Sequence, residues 1–86
     1  MPTLYVYSRQ GCHLCELLLD ELLPLVRGRF NVEVRDVDSR EEWRRTYDLR
    51  IPVLEFEGES ICEYTLDRSA LQRVLQDRVD SATTPG

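Results

Sequence analysis

An apolar run, Leu4-Tyr5-Val6-Tyr7, passes through Gly11 into a helical stripe, Leu14, Leu17, Leu18, Leu22 and Val26, and then into the alternating Phe30, Val32 and Val34. Strand, helix and strand in that order make a βαβ unit, whose crossover is right-handed and sets the two strands parallel. The almost unbroken apolar and aromatic character of Thr3 to Ser8 predicts a buried, central strand. The helix starting near His13 is expected to bend or end near Pro24, which lacks an N–H and crowds the preceding turn, with Gly28 as a later stop.

The rest of the chain reads as a second, hairpin-containing half. Ser39 followed by Glu42 fits a capping box, opening a short helix whose Trp43 and Tyr47 share one buried face and which ends before Leu49. Proline is tolerated at the first residue of a strand, so Pro52 opens a third strand, Val53-Leu54-Glu55-Phe56. Glu57-Gly58-Glu59 reads as a hairpin turn. Ile61 to Tyr64 returns as an edge strand, where Glu63 discourages pairing with other chains. Asp67 caps a last helix with the stripe Leu66, Ala70, Leu71, Val74 and Leu75, and periodicity fails after Arg78. The predicted order is β-α-β-α-β-β-α: a four-stranded mixed sheet of the α/β class, helices on both faces. Residues 1–79 form one domain and residues 80–86 are expected to be a disordered tail.

Composition narrows the function classes. The net charge is −5 and all the strong cations are arginines, which disfavours nucleic acid, whose phosphates call for a basic surface. Asp20 and Glu21 interrupt the longest leucine-rich stretch, so no segment reaches the roughly 20 apolar residues of a membrane helix. The N-terminus enters a strand without an export signal, and a cytoplasmic location is expected. The three cysteines are too few for a disulfide-stapled scaffold.

Two of those cysteines, Cys12 and Cys15, sit where the first strand turns into the first helix. A helix N-terminus carries roughly half a positive charge, which favours a thiolate at the first cysteine, and the second lies on the same turn within reach of a disulfide. A Cys-x-x-Cys at a strand-to-helix junction reads as thiol–disulfide chemistry, with Cys12 as nucleophile and Cys15 as resolving thiol. Arg9, three residues before Cys12, is the best nearby cation. His13 is a second cation when protonated, or equally a solvent-facing residue of an exposed turn. The competing readings of the pair are two unconnected helix thiols and half of a zinc site, though three cysteines and one histidine assemble four ligands with difficulty. Arg50 is a candidate for orienting a carboxylate through two parallel hydrogen bonds, or else part of a solvated arginine face with Arg40, Arg44 and Arg45. Cys62 reads as a half-buried strand residue, and Tyr5, Tyr7, Trp43 and Tyr47 as core.

From Thr3 to about Arg78 the chain resembles the thioredoxin fold and, within it, the glutaredoxins. Tyr7-Ser8-Arg9-Gln10-Gly11-Cys12-His13-Leu14-Cys15 is similar to their active-site strand and turn, with Arg9 where the family usually has lysine. Ile51-Pro52 is similar to the Val-Pro that precedes their third strand. The resemblance implies a cis Ile51–Pro52 bond opposite the active-site turn, leaving the Ile51 backbone to pair with an extended substrate. It also implies that Pro52 keeps metal ions from Cys12. His13 and Leu14 stand where glutaredoxins typically have Pro and Tyr. Cys62 and Glu63 stand where they have a glycine pair that admits glutathione's carboxylate to backbone N–H groups. The chain resembles a branch of small bacterial glutaredoxin-like proteins more than it resembles the glutathione-dependent members.

The expectation is therefore a monomeric disulfide oxidoreductase acting on a disulfide-containing protein or on glutathione. Arg9, His13, Leu14, Arg50, Ile51 and Pro52 are the candidate substrate contacts. No bound cofactor is implied, and glutathione is a candidate electron donor. The rivals are a redox-inert thioredoxin-fold binding module that uses the edge beside Ile51-Pro52, and a metal or iron–sulfur carrier.

Overall fold

The computed structural model describes the backbone of residues 1–83 and the side chains of residues 1–76. Its elements are β1 (Thr3–Ser8), α1 (His13–Val26), β2 (Asn31–Asp36), a 3-10 turn (Val37–Ser39), α2 (Glu41–Tyr47), β3 (Val53–Phe56), β4 (Glu59–Glu63) and α3 (Arg68–Thr83). The sheet order is β2-β1-β3-β4. β1 pairs parallel with β2, as the crossover demands, and antiparallel with β3, which pairs antiparallel with β4. β1 is thus central, and the mixed four-stranded α/β sheet predicted from the sequence is the one observed.

Alternation along the strands divides the interior in two. Leu4 and Val6 of β1 and Leu54 of β3 point to a main core that also contains Leu18, Leu22 and Val26 of α1, Phe30, and Leu71 and Leu75 of α3. Tyr7 and Val53 point the other way, into a smaller cluster with Val37, against which Tyr5, Trp43, Tyr47 and Ile51 pack. Helices therefore cover both faces. Glu57 and Gly58 both take positive φ, 51° and 82°, the twist that suits a two-residue hairpin loop. A register shift after Leu54 lets Ile61 and Cys62 both pack against the main core.

Several local expectations need correction. α1 runs two residues past Pro24 and ends at Val26; the proline lacks the N–H that would donate to the Asp20 carbonyl, and the helix stops within a turn of that lost bond. Val34 is 49% exposed, because β2 is an edge strand and cover from the main core reaches only Phe30, just before it, and Val32. The Ser39–Glu42 capping box does not form. α2 begins at Glu41 after Arg40, with no side-chain cap, because Ser39 Oγ donates instead to the Asp36 carbonyl at 2.6 Å. α2 buries none of its residues fully, so Trp43 and Tyr47 are half-buried. Asp67 does cap α3, accepting from the Ala70 N–H at 3.0 Å. α3 runs to Thr83, into the stretch read as a tail, because a helix can propagate on backbone bonds past the end of its apolar stripe. Residues 84–86 of that expected tail lie outside the described residues. Among the described residues, no helix is long and apolar enough to cross a membrane.

Candidate active site

The β1–α1 junction places the cysteine pair. Gly11 adopts φ 79°, a left-handed conformation that glycine takes without steric cost, and it turns the chain from the sheet into the helix. Cys12 follows in extended conformation as the N-cap of α1, and its N–H donates to the Arg9 carbonyl at 3.2 Å. Its Sγ accepts from the Cys15 N–H at 3.2 Å, filling the role that a serine or aspartate oxygen has at other helix starts. Cys12 and Cys15 are joined as a disulfide, with Cα atoms 5.2 Å apart. The two residues differ in access: Cys12 is half-buried, whereas Cys15 is 3% exposed. Between them His13 and Leu14 face solvent, and His13 Nδ1 lies 4.0 Å from the Glu16 carboxylate.

Arg9 does not stand as a free cation beside this turn. Its guanidinium donates to both Asp38 oxygens, at 2.8 and 3.1 Å, and also to Asp48. These bonds hold the Asp38 carboxyl below its ordinary range. One arginine thus ties the cysteine turn to the 3-10 turn and to the residue that follows α2. Asp38 and Asp48 lie 29 and 39 positions from Arg9, so no local pattern announces them.

The Ile51–Pro52 bond is cis, as the resemblance implies. Ile51 is half-buried, Pro52 is buried, and the Pro52 carbonyl accepts from the Tyr64 N–H at 2.8 Å. Arg50 is occupied: its Nε and Nη2 lie 2.8 and 2.7 Å from Glu63 Oε1, and Nη1 donates to the Thr46 carbonyl at 3.3 Å. Glu63, opposite Val53 across the β3–β4 ladder, supplies a carboxylate to Arg50 from within the chain. Cys62 is half-buried opposite Leu54, and burial pushes its thiol up. Among the described residues, no group of three or more His, Cys, Asp or Glu is placed to hold a metal ion.

Comparison with known proteins bears on the fold and the family. The protein XcR50 from X. campestris is similar over 86% of this chain and 96% of its own, with 28% identity and a TM-score of 0.65. A mutant thioredoxin from Halobacterium salinarum NRC-1 is similar over 87% of this chain and 72% of its own, with 25% identity and a TM-score of 0.57. A malarial protein shares the fold alone, at 14% identity, a TM-score of 0.56 and coverage of 87% and 93%. No curated protein sequence matches the chain. The family model described as "Glutaredoxin-like domain (DUF836)" matches residues 3–76. With its thioredoxin-type sheet and its cysteine pair at the head of α1, the chain belongs to this glutaredoxin-like family.

Proposed function

We propose that the protein is a thiol–disulfide oxidoreductase. The observation that carries this reading is the asymmetry of the pair: a half-buried cysteine at the helix cap, bonded to a buried one a turn further in. In the reduced form, the Cys15 N–H and the helix N-terminus favour negative charge on Cys12. The Cys12 thiolate attacks one sulfur of a substrate disulfide; a mixed disulfide forms and the first substrate thiol leaves. Cys15 then loses its proton and attacks the Cys12 sulfur, releasing the second substrate thiol and closing the internal disulfide. Two electrons pass from the pair to the substrate. A thiol reductant, either glutathione or a protein dithiol, returns them. The substrate is a disulfide-bearing protein met in the cytoplasm, and Leu14, His13 and the Ile51 backbone form the contact rim.

The test uses a model disulfide with Cys12→Ser and Cys15→Ser. Cys12→Ser abolishes reduction, whereas Cys15→Ser accumulates a covalent adduct visible as a mass increase on the intact protein. Full activity in both variants would overturn the proposal.

A further inference from the structure

A shallow cleft of about 490 Å³ lies at the end of α2, lined by Arg44, Arg45, Thr46, Asp48, Leu49 and Arg50. Three arginines and one acidic residue are among its lining residues, in a chain whose net charge is −5. The carboxylate, Asp48, is held by Arg9. Arg50 is held by Glu63. The other two arginines are bound more loosely. Arg44 approaches Asp38 only at 3.4 Å, and Asp38 is already engaged by Arg9; Arg45 meets Glu41 at 3.2 Å, with both side chains exposed. Exposed pairs of this kind contribute little and exchange readily, so both guanidinium groups are available to a better-placed carboxylate.

Beside them Leu49 is 84% exposed. Its carbonyl accepts from the Tyr64 hydroxyl at 2.9 Å, which fixes the loop while leaving the side chain in water. The cleft is also joined to the reactive turn. Asp48 bonds Arg9, the Arg9 carbonyl accepts from the Cys12 N–H, and the next residues along the chain from Arg50 are Ile51 and Pro52.

We propose that this cleft takes an acidic segment of a protein substrate, with Arg44 and Arg45 binding carboxylates and Leu49 meeting an apolar side chain. The inference rests on the oxidoreductase reading and adds substrate class to it. Two loosely paired guanidinium groups suit a short acidic peptide, whereas the negative charge of the remaining surface repels a polyanion such as nucleic acid.

Two measurements separate the cleft from the chemistry. In the first, the reduced protein meets the small neutral disulfide of 2-mercaptoethanol and three peptides of equal length. Each peptide carries one internal disulfide flanked by Glu and Leu, by Gln and Leu, or by Lys and Leu. The expected kcat/KM for the acidic peptide exceeds that for the glutamine peptide by about tenfold at low salt, the lysine peptide is slowest, and the ratio collapses in high salt. Arg45→Glu reverses the order of the acidic and lysine peptides. Equal rates on the three peptides, with the small disulfide still reduced, would overturn the cleft and leave the oxidoreductase intact. In the second, the acidic peptide with both cysteines replaced by serine is titrated against the oxidised protein. Salt-sensitive binding that Arg45→Glu removes supports the cleft even if no disulfide is reduced, a result that would sink the oxidoreductase reading alone. Failure to bind more tightly than the glutamine peptide would overturn the cleft.

Discussion

On the sheet face covered by α1 and α3, Leu4, Val6 and Leu54 pack into an apolar cluster, and the aromatic pair Phe30 and Phe56 meets edge to face at 5.4 Å. On the face covered by α2, Tyr7 stacks on Tyr47 at 4.0 Å, and its hydroxyl accepts from Arg35 at 2.8 Å and donates to Glu55 at 3.3 Å. Tyr47 donates to the other Glu55 oxygen at 2.9 Å, and the Arg35 guanidinium lies 3.9 Å from the Tyr5 ring centroid. The first face is held by non-directional burial. The second is a thin layer held by aromatic stacking and charge-assisted hydrogen bonds, beneath a helix that buries none of its residues fully. The cysteine pair draws on both: Cys15 is anchored by the helix of the dry face, whereas the turn before Cys12 is tied by Arg9 to the polar one. What the difference teaches is a division of labour. Burial fixes where the pair sits, and ion pairs fix how the surrounding loops meet it.

The comparison breaks first at the dry face. Leu22 is fully buried in the main core, so Leu22→Ala removes its transfer energy and leaves a cavity. The expected destabilisation is about 2 to 5 kcal/mol, measured as a lower urea midpoint with an unchanged slope. In a chain this short that loss is a large fraction of the total stability. A loss below about 1 kcal/mol would mean that the stability does not reside where the packing places it.

The same division explains what the sequence revealed. Leu18, Leu22 and Val26 announce the dry face by helical spacing, Phe30 and Val32 by strand alternation, and Leu4 and Val6 by an almost unbroken apolar run, because non-directional burial leaves a trace in the sequence. The cysteine pair is equally legible as a contiguous motif, and the cis Ile51–Pro52 bond is implied by the family resemblance. The polar face leaves no such trace. Ser39 and Glu42 satisfy the spacing of a capping box, but Asp36 takes the local donors first, accepting from the Asp38 N–H at 2.9 Å and the Ser39 hydroxyl at 2.6 Å. Arg9 looked like a cation for the Cys12 sulfur because it is near in sequence, yet its partners arrive from far along the chain. Arg50 reads either as a group that orients a carboxylate or as part of a solvated face, and neither reading names Glu63, its partner, which sits at the end of β4, 13 positions on.

A middle-sized effect sharpens the comparison. Tyr7→Phe keeps the buried ring and its stacking on Tyr47 and removes only the hydroxyl between Arg35 and Glu55. If the polar face contributes through directional bonds, stability falls by about 1 to 2 kcal/mol. A Tyr7→Phe protein as stable as the wild type would reduce that face to its apolar contacts. Tyr47→Phe provides a second reading, because its hydroxyl serves the same carboxylate.

The smallest effect concerns the tie between the faces. Asp38 is held below its ordinary value of 3.8 chiefly by the Arg9 hydrogen bonds, with further help from Arg44. A carboxyl depressed in the folded state contributes stability above the unfolded value, and that contribution is lost as the pH falls through the folded one. The wild type should therefore lose thermal stability more steeply than Asp38→Asn as the pH falls through and below the ordinary carboxyl value of 3.8, and the two curves should converge at the acid end. Arg9→Gln removes the same tie from the other side, so the double variant should lose less than the sum of the two single losses, as expected for residues in one network. Parallel pH profiles for wild type and Asp38→Asn, with additive single effects, would show that the cysteine turn is positioned by the dry face alone.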